Sequence, residues 1–165
     1  MLTAVERPLL LATFQPVAAW WQPHPNTTWQ IVLSAPLKPP YLSPPPDSTT
    51  LVIALDGDLF DNACNNNWPT IKKSGYKTLC YFSAGSYEGW RPDASSFLPA
   101  DLGNPLDGWP GEKWLDTRSG NVRAIMRKRL DLAVEQGCDG ADPDNIDAYD
   151  NDGGGLNLTA SDAWD

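Results

Sequence analysis

Residues Leu51 to Asp58 read LVIALDGD, a continuous apolar run that stops abruptly at acidic residues. A run of this kind, without polar alternation, is the pattern of a strand buried on both faces, and it implies a parallel sheet covered by helices. Toward the amino terminus, Trp29 to Ser34 (WQIVLS) reads as a short strand, and the six prolines within Pro36 to Pro46 read as an extended connector. Toward the carboxyl terminus, Asn67 to Ser74 reads as a short helix reaching Gly75, Lys77 to Phe82 (KTLCYF) as a strand, and Cys138 to Asp142 as a fourth strand. Between Asn121 and Gly137, Val122, Ile125, Met126, Leu130, Ala133 and Val134 recur at three and four. That spacing predicts an amphipathic helix capped by Asn121 and ended by Gly137, with Arg123, Arg127, Lys128 and Arg129 on a solvated face. Strand, helix, strand in this order makes an α/β fold of βαβ units with the helices outside the sheet. Polar residues cluster just past three strand ends: Asp56 and Asp58, Ser83 to Glu88, and Asp142 to Asp147. Barrels and open α/β sheets place their active sites at such ends.

Twelve basic against twenty-one acidic residues give a net charge of −9, which argues against nucleic acid or an anionic membrane surface as partner. A neutral or cationic substrate fits better. The eight tryptophans serve either as core filling or as flat faces for sugar rings. No glycine-rich phosphate loop follows a strand, which lowers the dinucleotide and phosphate readings. Cys64, Cys80 and Cys138 lack zinc-ligand spacing; one disulfide and one thiol are expected, with the pair undetermined. His24 is the only histidine, so a Ser-His-Asp or Cys-His mechanism lacks its base. Carboxylates must carry any acid–base chemistry. Arg7 followed by the mostly apolar Pro8 to Ala19 reads either as a secretory signal over residues 1–19, with the domain at 20–165, or as an ordinary amino terminus. Two glycosylation triplets, at Asn26 and Asn157, agree with export. No apolar stretch reaches 18 residues, so no spanning helix is expected.

The stretch ADPDNIDAYDNDGGG (141–155) concentrates Asp142, Asp144, Asp147, Asp150 and Asp152. Calcium is the obvious rival reading, but with Gly153 at the sixth loop position an EF-hand would need Ala148 first and Thr159 twelfth. Turn chemistry accounts for Asp150 onward. Asp142 and Asp144 follow an apolar strand, flank Pro143, and two residues apart in extended chain share a side. Crowded carboxylates split their pKa values into an acid and a base or nucleophile, the division of labour that glycoside hydrolysis requires. The alternative is a pair of loop-capping aspartates.

The succession DGDLFDN (Asp56 to Asn62), LCYFSAGSYEGWRPD (Leu79 to Asp93), WPGEKWLDTR (Trp109 to Arg118) and GCDGADPDNIDAYDN (Gly137 to Asn151) resembles glycoside hydrolase family 114. These are the endo-α-1,4-polygalactosaminidase-like barrels. The likeness runs from about Trp21 to Asp162 with the motifs in the family's order. It implies a (β/α)8 TIM barrel of which this chain carries about the first four β/α units. It further implies hydrolysis without metal or cofactor, and a galactosamine-containing α-1,4-linked polysaccharide as substrate. Such polymers are cationic when deacetylated, which agrees with the acidic chain. The resemblance places Asp144 and Asp142 as the catalytic carboxylates. It places Asp56, Tyr81, Glu88, Arg91, Trp114, Asn145 and Asp147 around the sugar-binding mouth. Arg91 has a structural alternative, as ion-pair partner of Glu88 or Asp93. Many family members carry Glu-Pro-Asp-Asn where this chain has Asp142 to Asn145, and later strands supply a further acid.

The rival to a hydrolase is a non-catalytic carbohydrate-binding remnant of the same barrel. A third reading, a calcium-dependent adhesion module, requires metal at Asp150 to Asp152. Barrels of this type take roughly 250 residues, and Leu158 to Asp162 reads as the start of another capped helix. Four parallel strands alone make an open half-sheet with an unpaired edge, expected to be neither a stable barrel nor an active hydrolase.

Overall fold

A computed structural model describes residues 22–32, 54–60, 62–73 and 75–163. Four strands pair in parallel: β1 (Trp29–Val32), β2 (Ala54–Asp58), β3 (Lys77–Ser83) and β7 (Gly140–Asp144), in the order β1-β2-β3-β7. Helix α1 (Asn62–Lys73) joins β2 to β3. Between β3 and the second long helix, α2 (Gly120–Glu135), lies a separate antiparallel sheet of β4 (Ser86–Glu88), β5 (Leu102–Pro105) and β6 (Glu112–Leu115), ordered β4-β6-β5.

The α/β class and the parallel order match the reading of the apolar runs, while several boundaries move. Strand β2 continues through Asp58 because Asp56 and Asp58 pair with Leu79 and Tyr81 of β3. Strand β7 likewise includes Asp142 and Asp144, in register with Tyr81 and Ser83. These carboxylates sit in the last turns of pairing and not beyond them. Helix α1 starts at Asn62, five residues before the expected start, and accommodates Pro69. Helix α2 is capped by Ser119, whose Oγ accepts from the amides of Asn121 (3.2 Å) and Val122 (3.4 Å). Asn121 instead donates through Nδ2 to the Asp101 carboxylate and the Ser96 carbonyl. The antiparallel sheet was not anticipated. At Leu158 to Asp162 the chain forms turns; Thr159 bonds Asp162 through both its amide and its hydroxyl. The signal-like residues 1–19 and the proline-rich connector lie outside the described residues.

The first core packs both helices against one face of the parallel sheet. Leu59, Trp68, Ile71, Cys80, Phe82 and Ala133 are buried together there. Strand residues alternate in direction, so Leu79, Tyr81 and Ser83, with their register partners Asp142 and Asp144, turn to the face away from the helices. A second core of Phe97, Leu115, Val122 and Ile125 ties α2 to the antiparallel sheet. A third, of Leu106, Trp114, Ala148 and Leu158, ties that sheet to the turns after β7.

One expected solvated residue is a structural centre. Arg129 is 2% exposed; its guanidinium bonds both oxygens of Asp93 (2.8 and 3.0 Å) and the Ser83 carbonyl (2.6 Å). It also lies over Phe60 (5.1 Å) and Phe97 (5.7 Å), so its charge is shared between acid, carbonyl and rings. At the opposite end of β3, Asp139 gathers Lys77 (3.1 Å), Lys72 (3.4 Å) and both donors of Thr78. Burial works against its charge, but these donors and cations prevail and lower its pKa.

Cys80 and Cys138 form a disulfide, which resolves the pairing left open by the sequence and closes a separation of 58 residues between β3 and the residue just upstream of β7. Thiol titration of the denatured chain should therefore find one reactive thiol before reduction and three after. Three thiols without reductant would contradict the pairing.

Candidate functional site

The carboxyl ends of β2, β3 and β7 bring their polar residues together through the turn from β3 to β4. The amides of Ala84 and Gly85 both donate to the carbonyl of Asp144 (2.9 and 3.2 Å). Gly85 lies so close to the next residue that a Cβ there would collide with the carbonyl oxygen of Asn145. Only glycine permits this approach. Asn145 takes a left-handed conformation (φ 58°) that aims its side chain back at the turn, where Nδ2 donates to Ser83 Oγ (3.0 Å) and Ser86 Oγ (3.1 Å).

Around this clamp the carboxylates fall into two groups. Glu88 and Asp58 share one cation: Arg91 holds both oxygens of Glu88 (2.7 Å each) and both oxygens of Asp58 (2.9 and 2.8 Å). Its ring contact is Phe60, 4.9 Å away. Burial opposes the Arg91 charge, but the bonds to Glu88 and Asp58 outweigh it and raise its pKa. Of the two ion-pair partners expected for Arg91, Glu88 is present, and Asp58 takes the place of Asp93, which serves Arg129.

Asp144 and Glu112 form the second group. Asp144 is exposed and accepts a 2.7 Å hydrogen bond from the Tyr81 hydroxyl. Burial, that bond and the charges of Asp144, Glu88 and Glu112 hold the phenol's pKa well above its usual value, so Tyr81 is a fixed donor. Asp142 is half-buried and lies in register with Tyr81. Asp56 lies in register with Ile31 and Leu79. Trp114 is buried in the third core, and it also lines a groove of about 560 Å³ with Asn145 and Asp147. Asp147 accepts from Asn151.

Glu112 was not singled out from the sequence. It is 7% exposed and accepts a 2.7 Å bond from Ser86 Oγ, itself bonded to Ser83 and Asn145. The alternation Glu112 in, Lys113 out, Trp114 in, is the signal that could have found it. Burial pushes its pKa up, as do the charges of Glu88 and Asp144, against the opposing Ser86 bond and Arg91 charge. The folded chain thus holds this proton more tightly than the unfolded chain. Its stabilising contribution is full below the ordinary value of 4.5 and declines as pH rises through the raised value. Glu112→Gln keeps an acceptor for Ser86 but cannot ionise. In urea unfolding it should gain stability relative to the parent as pH rises from 4.5 toward neutrality; stability curves that stay parallel would contradict the burial argument.

The family model for glycoside-hydrolase family GH114 matches residues 11–165. Among solved structures, Ega3 of Aspergillus fumigatus in complex with galactosamine is 49% identical with a TM-score of 0.75, over 87% of this chain and 53% of that one. The glycoside hydrolase domain of PelA from Pseudomonas aeruginosa is 17% identical with a TM-score of 0.56, over 75% of this chain and 46% of that one, a likeness of fold. No curated protein matches at a comparable level. The chain spans about half the length of the solved structures it matches. The match over nearly the whole sequence, on a parallel α/β sheet with acids at its carboxyl ends, places this chain in glycoside-hydrolase family GH114.

Proposed function

We propose that this chain forms the first half of a (β/α)8 barrel that hydrolyses an α-1,4-linked, galactosamine-containing polysaccharide by carboxylate chemistry. The observation that carries the reading is the exposed Asp144, oriented by Tyr81 on the sheet face away from the helices, at the carboxyl end of a parallel strand. The four strands are neighbours in sequence order, as successive barrel strands are. Ega3, the relative at 49% identity, was solved with galactosamine bound.

In this reading the Tyr81 hydroxyl orients the Asp144 carboxyl toward the mouth, where it acts as base or nucleophile at the anomeric carbon. Asp142, on the same strand and the same side, is its partner in acid–base work. Glu88 and Arg91 brace the mouth as an ion pair, and Asn145, Asp147 and Trp114 form its wall toward the groove. The exposed Asp144 carboxyl, which has no cation partner among the described residues, favours a sugar bearing an ammonium group over an anionic one. The chemistry assigned here uses side chains alone. A secreted protein acting on extracellular polysaccharide fits the Cys80–Cys138 disulfide, since such bonds persist in oxidising compartments. Among the described residues, no helix is long and apolar enough to cross a membrane.

The test is cleavage of de-N-acetylated α-1,4-galactosamine polymer by the full-length protein, followed as new reducing ends. Asp144→Asn and Asp142→Asn should each lower turnover by at least ~100-fold, the scale of losing a general acid or base. Turnover near the parent's in both variants would overturn the assignment. Binding without any cleavage by the parent would favour the carbohydrate-binding remnant instead.

A further inference from the structure

The antiparallel insert feeds a buried polar chain into the mouth, and that chain ends at Glu112, a carboxyl without a role in the hydrolytic reading. Ser83, Ser86 and Glu112 are all buried. Ser86 Oγ donates to Glu112 Oε2 (2.7 Å), which uses its only proton. The 2.5 Å bond between the two hydroxyls therefore runs from Ser83 to Ser86. The two protons of Asn145 Nδ2 go to Ser83 Oγ (3.0 Å) and Ser86 Oγ (3.1 Å), and the Ser86 amide donates to Ser83 Oγ (3.0 Å). Each hydroxyl thus donates once and accepts twice, its full capacity. The side-chain bonds all run from Asn145 toward Glu112.

Glu112 holds this place against two costs. Its register partner across β4 and β6 is Glu88, and like charges directly opposite destabilise a strand pair. Burial adds to this, because an acid taken out of water loses its hydration. Packing alone would favour an apolar residue, like the buried Trp114 two positions on. What an apolar residue lacks is a lone pair for Ser86, which a carboxyl supplies in either protonation state. Without that acceptor the Ser86 proton would turn back on Ser83 Oγ, which would then be offered three donors for two lone pairs while its own proton lost its partner. The Asn145 amide would no longer be held at both of its protons.

Asn145 is where this chain meets the backbone of the reacting carboxylate. Its left-handed conformation (φ 58°) persists only where the surroundings fix it. The carbonyl of Asp144, just before it, takes the amides of Ala84 and Gly85, and its own carbonyl packs against Gly85. We propose that Glu112 is a positioning residue for the hydrolysis: as terminal acceptor it fixes the direction of the Asn145, Ser83 and Ser86 bonds, and through them the backbone that carries Asp144. Glu112 acts through Asn145 and not on the sugar. The inference rests on the polysaccharide hydrolase reading and gives the antiparallel insert a part in it.

Steady-state cleavage of de-N-acetylated α-1,4-galactosamine polymer by the full-length protein tests it, with urea unfolding used to check that each variant is folded. Glu112→Leu keeps the bulk but offers Ser86 no acceptor. It should lower kcat by at least ~10-fold with KM within about twofold, the signature of a misplaced reacting group and not of lost binding. Glu112→Gln keeps an acceptor and should hold kcat within about threefold of the parent. Ser86→Ala breaks the chain one link earlier by removing only a hydroxyl; it should match the loss in Glu112→Leu, and it carries the test should the leucine variant fail to fold. In a Ser86→Ala background, Glu112→Leu should cost no further activity, because both act through one chain. Parent-like kcat in Ser86→Ala, equal losses in Glu112→Gln and Glu112→Leu, or additive losses in the double variant would each overturn this role and leave the hydrolase reading standing. A parent protein that does not cleave the polymer would sink that reading, and this role with it.

Discussion

The arrangement depends on one close approach, that of the β3–β4 turn to the end of β7. Two amides of the turn hold the Asp144 carbonyl, and Gly85 leaves room for the Asn145 carbonyl where any side chain would collide. From that contact follow the positions of Tyr81 against Asp144, of Ser83 and Ser86 against Asn145, and of Glu112 behind Ser86. Arg129 reinforces the same point from the helix side by bonding the Ser83 carbonyl, while the Cys80–Cys138 disulfide holds β3 to the segment entering β7. The parallel sheet alone would align the backbones; this turn is what converts alignment into a site.

Charge is distributed to match. Toward the helices Asp93 is matched by Arg129, and at the amino end of β3 Asp139 is matched by Lys72 and Lys77. At the mouth, Arg91 alone compensates Glu88 and Asp58, leaving Asp144 and Glu112 without cations of their own.

Much of the parallel sheet was legible because its strands are apolar runs, as in KTLCYF, and α2 because its apolar residues recur at three and four. The antiparallel insert escaped notice because SYE, LGNP and EKWL are short, mixed in polarity and interrupted by glycine and proline. The start of α1 was hidden in the polar stretch NACNNN, whose helical state is set by the packing of Trp68 and Ile71 downstream. Asp144 was read as lying past a strand ending at Asp142 because Ala141 is the last apolar strand former before Pro143; pairing with Ser83 extends β7 over it. Arg129 looked solvated on charge alone, since nothing local announces Asp93, Phe60 and Phe97 as its surroundings. Glu112 carries no sequence signal beyond the two-residue alternation with the exposed Lys113 and the buried Trp114 that turns it inward.

The central claim is spatial: the sugar chain lies on the sheet face away from the helices, with a ring against Asp144 and Tyr81. The most direct measurement is a crystal structure of the full-length protein with an α-1,4-galactosamine oligomer. The account predicts a sugar ring within hydrogen-bonding distance of the Asp144 carboxylate and the Tyr81 hydroxyl. An oligomer seated on the helix-bearing face, or one that leaves Asp144 without a sugar contact, would contradict it.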